Sequence, residues 1–432
     1  MTASQFGRNL ASQLSHPPDS LLPMPSTLSW LDFSEADRRK AAEVIRLFEE
    51  RGTVDELGLG TVRDALAERL FPGITVLQTR ARYFLFVPWM YQQMEQDEVP
   101  SAKAEAEGRG REIRLIDVLA GREKGATGVI GSVARKNLRV LPSFIYWQGL
   151  GRWGIRKFQG AQGLFHRSLD RRYEAIRNAL RTDDGEPAEG AIPANWDDAI
   201  PLPPSEWPAK VSLALEPREA AYLRHQIQTH VPGTYLAFLV EQEQVERADF
   251  PWAVPASQQA PANIRRTIEQ ARAFSEVAHG AAILYNLMLA EHEAGQADLE
   301  EKAARYRGYL EAWWNRIEAR RQELAATPRT ELWDVVERGN GDVRVSIGRR
   351  TREFVNGWFD RVLGAGSLGE VTAPGTRRTI REREGTVKGA YARLIHQRPR
   401  ELWQAPDRVD PYVYRWPMVQ TIVGDIHEGL RR

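Results

Sequence analysis

Apolar residues recur at helical spacing along most of the chain. This periodicity predicts a mainly α-helical protein built of multi-helix bundle domains, with at most a small sheet. The most apolar stretch is 75–91, TVLQTRARYFLFVPWMY, in which Pro88 interrupts a run of aromatic and aliphatic side chains. In a soluble protein, a stretch with this much apolar surface is buried. It is therefore predicted to form the central helix of an N-terminal bundle. We expect Pro88 to end or kink that helix.

Further helices are predicted before and after this stretch. Ser34 is placed to cap a helix that ends at Gly52, with apolar residues at helical spacing between them. Residues 234–244, TYLAFLVEQEQ, fit a short helix or a strand, and their pattern does not decide between the two. The other predicted helices cover 61–70, the second part of 99–120, 170–181 and 215–230.

The clearest periodicity lies in the second half of the chain. Two long apolar stripes run from Ile264 to Met288 and from Leu299 to Leu324, separated by a short polar joint. A short connection between two long helices predicts an antiparallel hairpin. After it, the pattern predicts short helices around Trp333 and over 354–362, and a last helix following the aromatic start of YVYRWPMVQTIVGDI.

Composition shifts suggest how these elements divide into domains. Six prolines fall within 187–208, where periodicity is weak, so a linker is predicted at 183–208. The predicted organisation is a flexible tail at 1–26, a helical domain at 27–182, the linker, a helical domain with the hairpin at 209–330, and a C-terminal helical region at 331–432.

Overall charge and cysteine content exclude several classes of protein. The chain has 59 basic and 58 acidic residues, so its net charge of +1 gives no global attraction for a charged partner. It has no cysteine, which excludes disulfides, thiol nucleophiles and cysteine-bound zinc. Its longest apolar run is far shorter than the roughly 20 residues of a membrane helix. We therefore expect a soluble, cytoplasmic protein that has no membrane partner.

Local charge is strongly uneven. Residues 124–169, called here the acid-free segment, contain no Asp or Glu but many basic and aromatic residues, with glycines beside the aromatics. Arginine and lysine bind phosphates, and aromatic rings can stack on bases, so this composition predicts a nucleic-acid-binding face. The alternative is that Trp147 and Trp153 belong to the core and the charges form an ordinary solvated surface. The candidate binding residues are Arg135, Lys136, Arg139, Trp147, Arg152, Trp153, Arg156 and Lys157.

A second basic stretch, 377–400, and two isolated arginines are secondary candidates. The stretch holds eight basic residues against Glu382 and Glu384, which are placed to pair locally with its arginines. Two arginines at 80 and 82 point in different directions on a helix, so one can pair internally while the other faces solvent. The secondary candidates are Arg80, Arg82, Arg377, Arg378, Arg381 and Lys388.

Signatures of catalysis are absent from the sequence. It has no phosphate-binding loop of the GxxxxGK[ST] type, no HExxH pair and no GxSxG nucleophile motif. We therefore assign no catalytic residue, no metal ligand and no cofactor. A nuclease whose acidic metal ligands lie far apart in sequence stays open as an alternative.

Several motifs resemble an uncharacterised bacterial family named only as a domain of unknown function. They are SWLDFSEADRR, DELGLGTVRDALAERLFPG, QTRARYFLFVPWMY, GVIG, LPSFIYWQGLGRWGI and YRWPMVQTIV, so the resemblance extends from about residue 27 to the end. It implies a place in genomic islands for defence against phage, where helicases, nucleases and methyltransferases are common neighbours. It implies no catalytic residues.

Together these observations predict a non-catalytic accessory subunit of a phage-defence system. It would bind nucleic acid, DNA in preference to RNA, and dock on a helicase or nuclease partner. Two alternatives remain open at this point: a scaffold or sensor that acts through protein contacts alone, and the dispersed metal-dependent nuclease. The oligomeric state is not indicated.

Overall fold

The computed structural model describes residues 56–122, 128–179, 192–292, 297–338 and 345–432. Within these ranges the protein is α-helical and contains no β-strand, and its only β-type pairing is an isolated antiparallel bridge between Arg156 and Trp196. The predicted fold class, mainly α with at most a small sheet, is confirmed. The predicted N-terminal tail and the helix predicted at 34–52 lie outside the described residues.

The helices are numbered here in chain order. They are α1 (Gly60–Leu70), α2 (Tyr83–Gln96), α3 (Ser101–Arg122), α4 (Pro142–Arg152), α5 (Gln162–Ala179), α6 (Pro217–His230), α7 (Tyr235–Glu241), α8 (Ala262–His292), α9 (Ala297–Ala326), α10 (Arg329–Glu337), α11 (Arg349–Gly364), α12 (Leu368–Val371), α13 (Pro374–Lys388), α14 (Gln397–Glu401) and α15 (Trp416–Arg431). Short 3₁₀ turns lie at Arg135–Asn137, Pro251–Ala253, Pro255–Gln259 and Gly389–Tyr391.

The central helix α2 is buried as predicted, but its start was predicted about two turns too early. Residues 75–82 form turns, and their backbone amides bond elsewhere in the fold: Thr79 N and Arg80 N donate to Tyr146 Oη, at 2.9 and 3.1 Å. Ala81 N donates to Asp425 Oδ2 at 2.8 Å. Pro88 lies inside α2 and does not end it. Tertiary hydrogen bonds therefore set the start of this helix, in place of the local apolar pattern.

The predicted hairpin is confirmed as α8 and α9. Three contacts fix their direction: Glu291 pairs with Arg307, the Glu276 carbonyl accepts from Trp313 Nε1 at 2.7 Å, and the Pro328 carbonyl just beyond α9 accepts from Gln270. In these contacts, residues with lower numbers on α8 meet residues with higher numbers on or just beyond α9, so the two helices are antiparallel. A Cβ at Gly280 would lie 2.2 Å from the Trp313 ring, so only glycine allows this close approach.

Buried side chains from α1 to α15 form one continuous cluster. The described part of the proline-rich segment, 192–208, packs against it. Trp196 is buried, and the Trp207 ring lies 5.4 Å from Phe86 and 5.1 Å from Trp89. The division into domains stays a prediction. Residues 235–241 are helical, which decides the choice left open between helix and strand.

Candidate nucleic-acid interface

The acid-free segment folds into parts with opposite environments. Its described residues comprise a loop at 128–141, helix α4, a second loop and the first half of α5. We call residues 147–157 the inner turn, because most of its candidate side chains point into the protein. We call Lys136, Arg139 and Arg167 the outer rim, because all three side chains are exposed.

Both tryptophans of the inner turn belong to the core. The Trp153 ring stacks on Phe84 with centroids 3.9 Å apart, is fully buried, and donates from Nε1 to the Pro72 carbonyl at 2.9 Å. Trp147 is 3% exposed and donates from Nε1 to the Gly160 carbonyl at 2.9 Å. Rings buried in this way cannot stack on bases, so the structure corrects the prediction for both residues and supports their alternative role in packing.

Arg156 is also buried, and its cation interacts with protein atoms. The guanidinium lies over the Trp147 ring, 4.9 Å from its centroid, and donates to the carbonyls of Trp147, Phe158 and Gly160. Burial lowers the pKa of Arg156 to about 10. A Cβ on Gly151 would lie 2.4 Å from Arg156 Nη2, so this glycine makes room for the guanidinium. Arg156 therefore holds the inner turn together and is not available to a phosphate.

The remaining basic residues of the inner turn are paired with acids from distant parts of the chain. Arg152 Nε lies 3.0 Å from Glu68 Oε1. Lys157 Nζ lies 3.3 Å from an Asp197 oxygen and 3.1 Å from an Asp198 oxygen, and its hydrogen bond to Asp198 raises the pKa of Lys157. Although the segment itself has no acids, folding brings acids to this side of it.

The outer rim has a different environment. Lys136 and Arg139 stand on the loop before α4, and Arg167 stands on α5. Arg109 on α3 pins this loop by donating to the carbonyls of Lys136 and Leu138 at 2.8 and 2.9 Å. Next to it, Arg135 keeps a side chain that is 39% exposed while its Nη1 pairs with Asp117 at 3.0 Å. The loop therefore presents basic side chains to solvent on a fixed backbone.

Arg80 and Arg82 both form internal ion pairs. Arg80 donates from Nε and Nη2 to the Asp425 carboxylate at 2.8–3.0 Å. Burial raises the pKa of Asp425, and the bonds to Arg80 oppose that shift. Arg82 Nη2 lies 2.7 Å from Oε1 of Glu219, which is fully buried. The expectation that one of the two arginines faces solvent is therefore wrong.

The second basic stretch, 377–400, contains both exposed and paired cations. Arg378 and Arg381 are exposed, whereas Arg377 pairs with Glu291 and Lys388 lies 3.6 Å from Glu56.

Glu384 does not pair locally with the arginines, as the sequence had suggested. It is fully buried and accepts from the Tyr285 hydroxyl at 2.8 Å. It also accepts from the backbone amides of Arg393 and Leu394, at 2.7 and 2.8 Å, and so fixes the turn after α13.

A cleft of about 220 Å³ opens beside the outer rim. Its walls come from α3, from the loop before α4 and from the start of α5. Arg109, Arg139 and Arg167 contribute to the walls, and so does Phe144, which is half-buried. The cleft thus joins three arginines to the Phe144 ring, and its lining also includes Tyr91, Glu105, Glu112 and His166.

A chain of hydrogen bonds lies in the wall of this cleft. Ser143 donates from its backbone N and its Oγ to the buried Glu112 carboxylate, at 2.8 and 2.6 Å. Gln162 Nε2 donates to Ser143 Oγ at 2.7 Å and to the Tyr91 hydroxyl, which lies 3.2 Å from His166 Nε2. Burial raises the pKa of Tyr91, so this hydroxyl keeps its proton.

The sequence pattern gave little sign of this network. Its residues come from α2, α3, the start of α4 and α5, and only Gln162 and His166 are close in sequence. Their spacing of one helical turn in the acid-free segment places both on one face of α5. This pair was the only part of the network that the sequence could indicate. The polar groups from the other helices could be assigned to the same network only with the fold in hand.

The described ranges also bear on other kinds of site. No group of three or more His, Asp or Glu residues there is arranged to hold a metal ion. None of the helices described there is both long enough and apolar enough to cross a membrane.

Comparisons with known proteins identify the family of the chain. No curated protein matches it, and no solved structure matches it. A family model does match, over residues 25–429, which is nearly the whole chain and includes the cleft and both basic stretches. The protein therefore belongs to the family described as "Family of unknown function (DUF6361)".

Proposed function

We propose that the protein binds nucleic acid through the outer rim and acts as an accessory subunit beside an enzymatic partner. The observation that carries this proposal is the arrangement of Lys136, Arg139 and Arg167, three exposed cations of which Arg139 and Arg167 line one cleft. Phosphate groups attract such cations whatever the sequence of the nucleic acid. The inner turn takes no part, because its aromatic rings are buried and its cations are engaged by protein atoms.

The proposal extends to a role in defence against phage, with DNA as the preferred nucleic acid. Its support is the resemblance of the sequence motifs to proteins of defence islands, where enzymes that act on DNA are common neighbours. The exposed cations favour contact with the phosphate backbone, which both DNA and RNA supply. A direct comparison of the two polymers therefore tests this part of the proposal.

Docking on a partner has separate support at the C-terminal end of the fold. Four large apolar side chains are exposed within 387–402: Val387, Tyr391, Ile395 and Leu402, of which Tyr391 is 77% and Leu402 74% exposed. Grouped exposed apolar residues mark protein interaction sites. Arg398 within this stretch, and Arg378 and Arg381 shortly before it, are also exposed and favour a partner whose apolar contact face is edged by acidic residues.

This exposed apolar group also favours the second candidate function, a scaffold that acts through protein contacts alone. Coexpression with candidate helicase and nuclease partners distinguishes the two. We expect one of them to copurify with the protein and to be lost when Tyr391 and Leu402 are both replaced by Ser. A complex that forms without nucleic acid binding would favour the scaffold.

The binding function is tested by measuring affinity for labelled duplex and single-stranded DNA and RNA across a salt series. Each phosphate contact contributes about 0.9 to the slope of log affinity against log salt for duplex DNA, and about 0.7 for a single strand. The triple variant Lys136→Ala, Arg139→Ala, Arg167→Ala should therefore bind more weakly, with a slope smaller by about 2 to 3.

The matched control is Arg152→Ala with Lys157→Ala, which removes two cations of the inner turn and leaves the buried Arg156 intact. We expect this control to bind DNA like the natural protein. Equal binding by the triple variant and the natural protein would contradict the proposal, and so would the absence of binding at low salt.

A further inference from the structure

We infer that the cleft beside the outer rim binds a single nucleotide unit, either free or at the end of a strand, and that its base has an exocyclic amino group. This inference rests on the proposed function, because the rim that attracts the polymer also forms the mouth of the cleft. It adds a defined ligand class and a preference among bases.

The size and composition of the cleft fit a single nucleotide unit. A volume of about 220 Å³ is below the 300–1,000 Å³ of pockets for drug-sized ligands, so the cleft can enclose at most the base and sugar of one nucleotide, with its phosphate at the mouth, and a dinucleotide cofactor is too large for it. Its walls combine three guanidinium groups with the rings of Phe144 and Tyr91, the His166 imidazole and the carboxylates of Glu105 and Glu112. A nucleotide has the two matching parts, an anionic phosphate and a flat base.

The phosphate and the base of the nucleotide would each take a defined position in the cleft. Arg139 and Arg167 are exposed at the mouth, where a phosphate stays partly hydrated. Phe144 is half-buried in the wall, and its ring makes no contact with another aromatic ring in the described part of the chain. This differs from Trp147 and Phe165, whose rings pack on each other. The face of Phe144 is the stacking surface that we assign to the base.

Gln162 can offer a ligand only a hydrogen-bond acceptor. Its amide nitrogen already donates to both Ser143 Oγ and the Tyr91 hydroxyl, so both of its N–H groups are used. The group that remains is the carbonyl oxygen, which can only accept. Adenine, cytosine and guanine carry an exocyclic amino group that donates, whereas uracil and thymine offer only a ring N3–H, flanked by two carbonyls that would lie against the Gln162 oxygen.

The neighbouring hydrogen bonds hold the Gln162 amide in one orientation. The Glu112 carboxylate accepts two bonds from Ser143, and Tyr91 links Gln162 to His166. Because the Gln162 nitrogen is held by two partners, turning the amide to donate to a ligand would break both bonds. The cleft therefore has a fixed acceptor beside a stacking surface.

The test is titration calorimetry of the full chain with AMP, CMP, UMP, adenosine and inorganic phosphate as probes. We expect saturable binding of AMP and CMP at least about threefold tighter than that of UMP, which is the effect of one hydrogen bond. Adenosine and phosphate alone should bind more weakly than AMP, because each occupies only one part of the site.

Two variants place the binding in the cleft. Phe144→Leu should weaken AMP binding at least about fivefold through loss of stacking, while the salt slope for polymer binding stays unchanged. Arg139→Gln removes an exposed charge without disturbing the core, so it covers the case in which Phe144→Leu fails to fold. It should also weaken AMP. The matched control for both is Arg152→Gln, for which AMP affinity should be unchanged.

The outcomes separate this inference from the proposed function. Polymer binding with a normal salt slope but no binding of any nucleotide would overturn the inference alone. Nucleotide binding that is equally strong in Phe144→Leu and Arg139→Gln would also overturn it, because the site would then lie elsewhere. Absence of both nucleotide and polymer binding would overturn the inference and the proposed function together.

Discussion

The inner turn and the outer rim come from the same acid-free segment, yet folding gives them opposite roles. In the inner turn, Arg156 lies on the buried Trp147 ring, and Lys157 faces two aspartates that are some 40 positions further on. In the outer rim, Lys136 and Arg139 stay exposed beside a cleft. The comparison teaches that a run of basic and aromatic residues does not by itself define a binding face. Burial and the partners that folding brings to each part decide which side chains are exposed to solvent.

The largest effect that would test this comparison is the loss of stability on replacing Trp153 by Ala. Truncating a fully buried tryptophan leaves a cavity and should lower the free energy of unfolding by about 3–5 kcal/mol. The matched variant in the outer rim, Lys136→Ala, should change it by less than about 0.5 kcal/mol. Urea denaturation followed by tryptophan fluorescence or circular dichroism measures both. Similar small changes in the two variants would mean that Trp153 is not packed as described.

A smaller effect is expected for Arg156. Replacing it by Met should lower the free energy of unfolding by about 1–3 kcal/mol, because the Phe158 carbonyl loses its Arg156 donor and the Gly160 carbonyl keeps only the bond from Trp147 Nε1. Arg156→Lys should not restore stability, since a single ammonium cannot reproduce the planar fork that reaches several carbonyls. The same denaturation experiment compares the two variants. A fully stable Arg156→Lys protein would show that charge alone is needed there.

These outcomes depend on contacts that the sequence could indicate only in part. Local pattern was sufficient for α1, for α6 and for the hairpin of α8 and α9, because periodicity and flanking Pro or Gly determine those helices. It was not sufficient for the start of α2, where the amides of 79–81 bond to Tyr146 and Asp425. Partners so distant in sequence cannot be read from a local pattern.

The candidate site shows the same limit. The sequence indicated the segment that holds the outer rim, because a long run without acids is a property of the chain itself. It did not separate Lys136 from Lys157, since the aspartates that pair with Lys157 lie outside the run. It also did not indicate the cleft, whose polar network takes Tyr91 and Glu112 from two other helices.

The smallest predicted effect sharpens the account of the outer rim. Asp117 pairs with Arg135, which lies next to the rim and is 39% exposed. Replacing Asp117 by Asn should release that arginine and tighten DNA binding at low salt by about twofold, consistent with the modest strength of an exposed ion pair. The control is Asp198→Asn, which removes one of the two carboxylates that pair with Lys157 on the inner turn and should leave DNA affinity unchanged. Tighter binding in the control variant would place the nucleic acid on the other side of the segment.

The most direct test of the central claim compares two lysines of one segment in a single experiment. Lys136 and Lys157 are both accessible to an acetylating reagent, the latter with 42% of its side chain exposed, and mass spectrometry measures the modification of each. With saturating DNA, the account predicts that modification of Lys136 falls several-fold while that of Lys157 is unchanged. Protection of Lys157 with no change at Lys136 would contradict it.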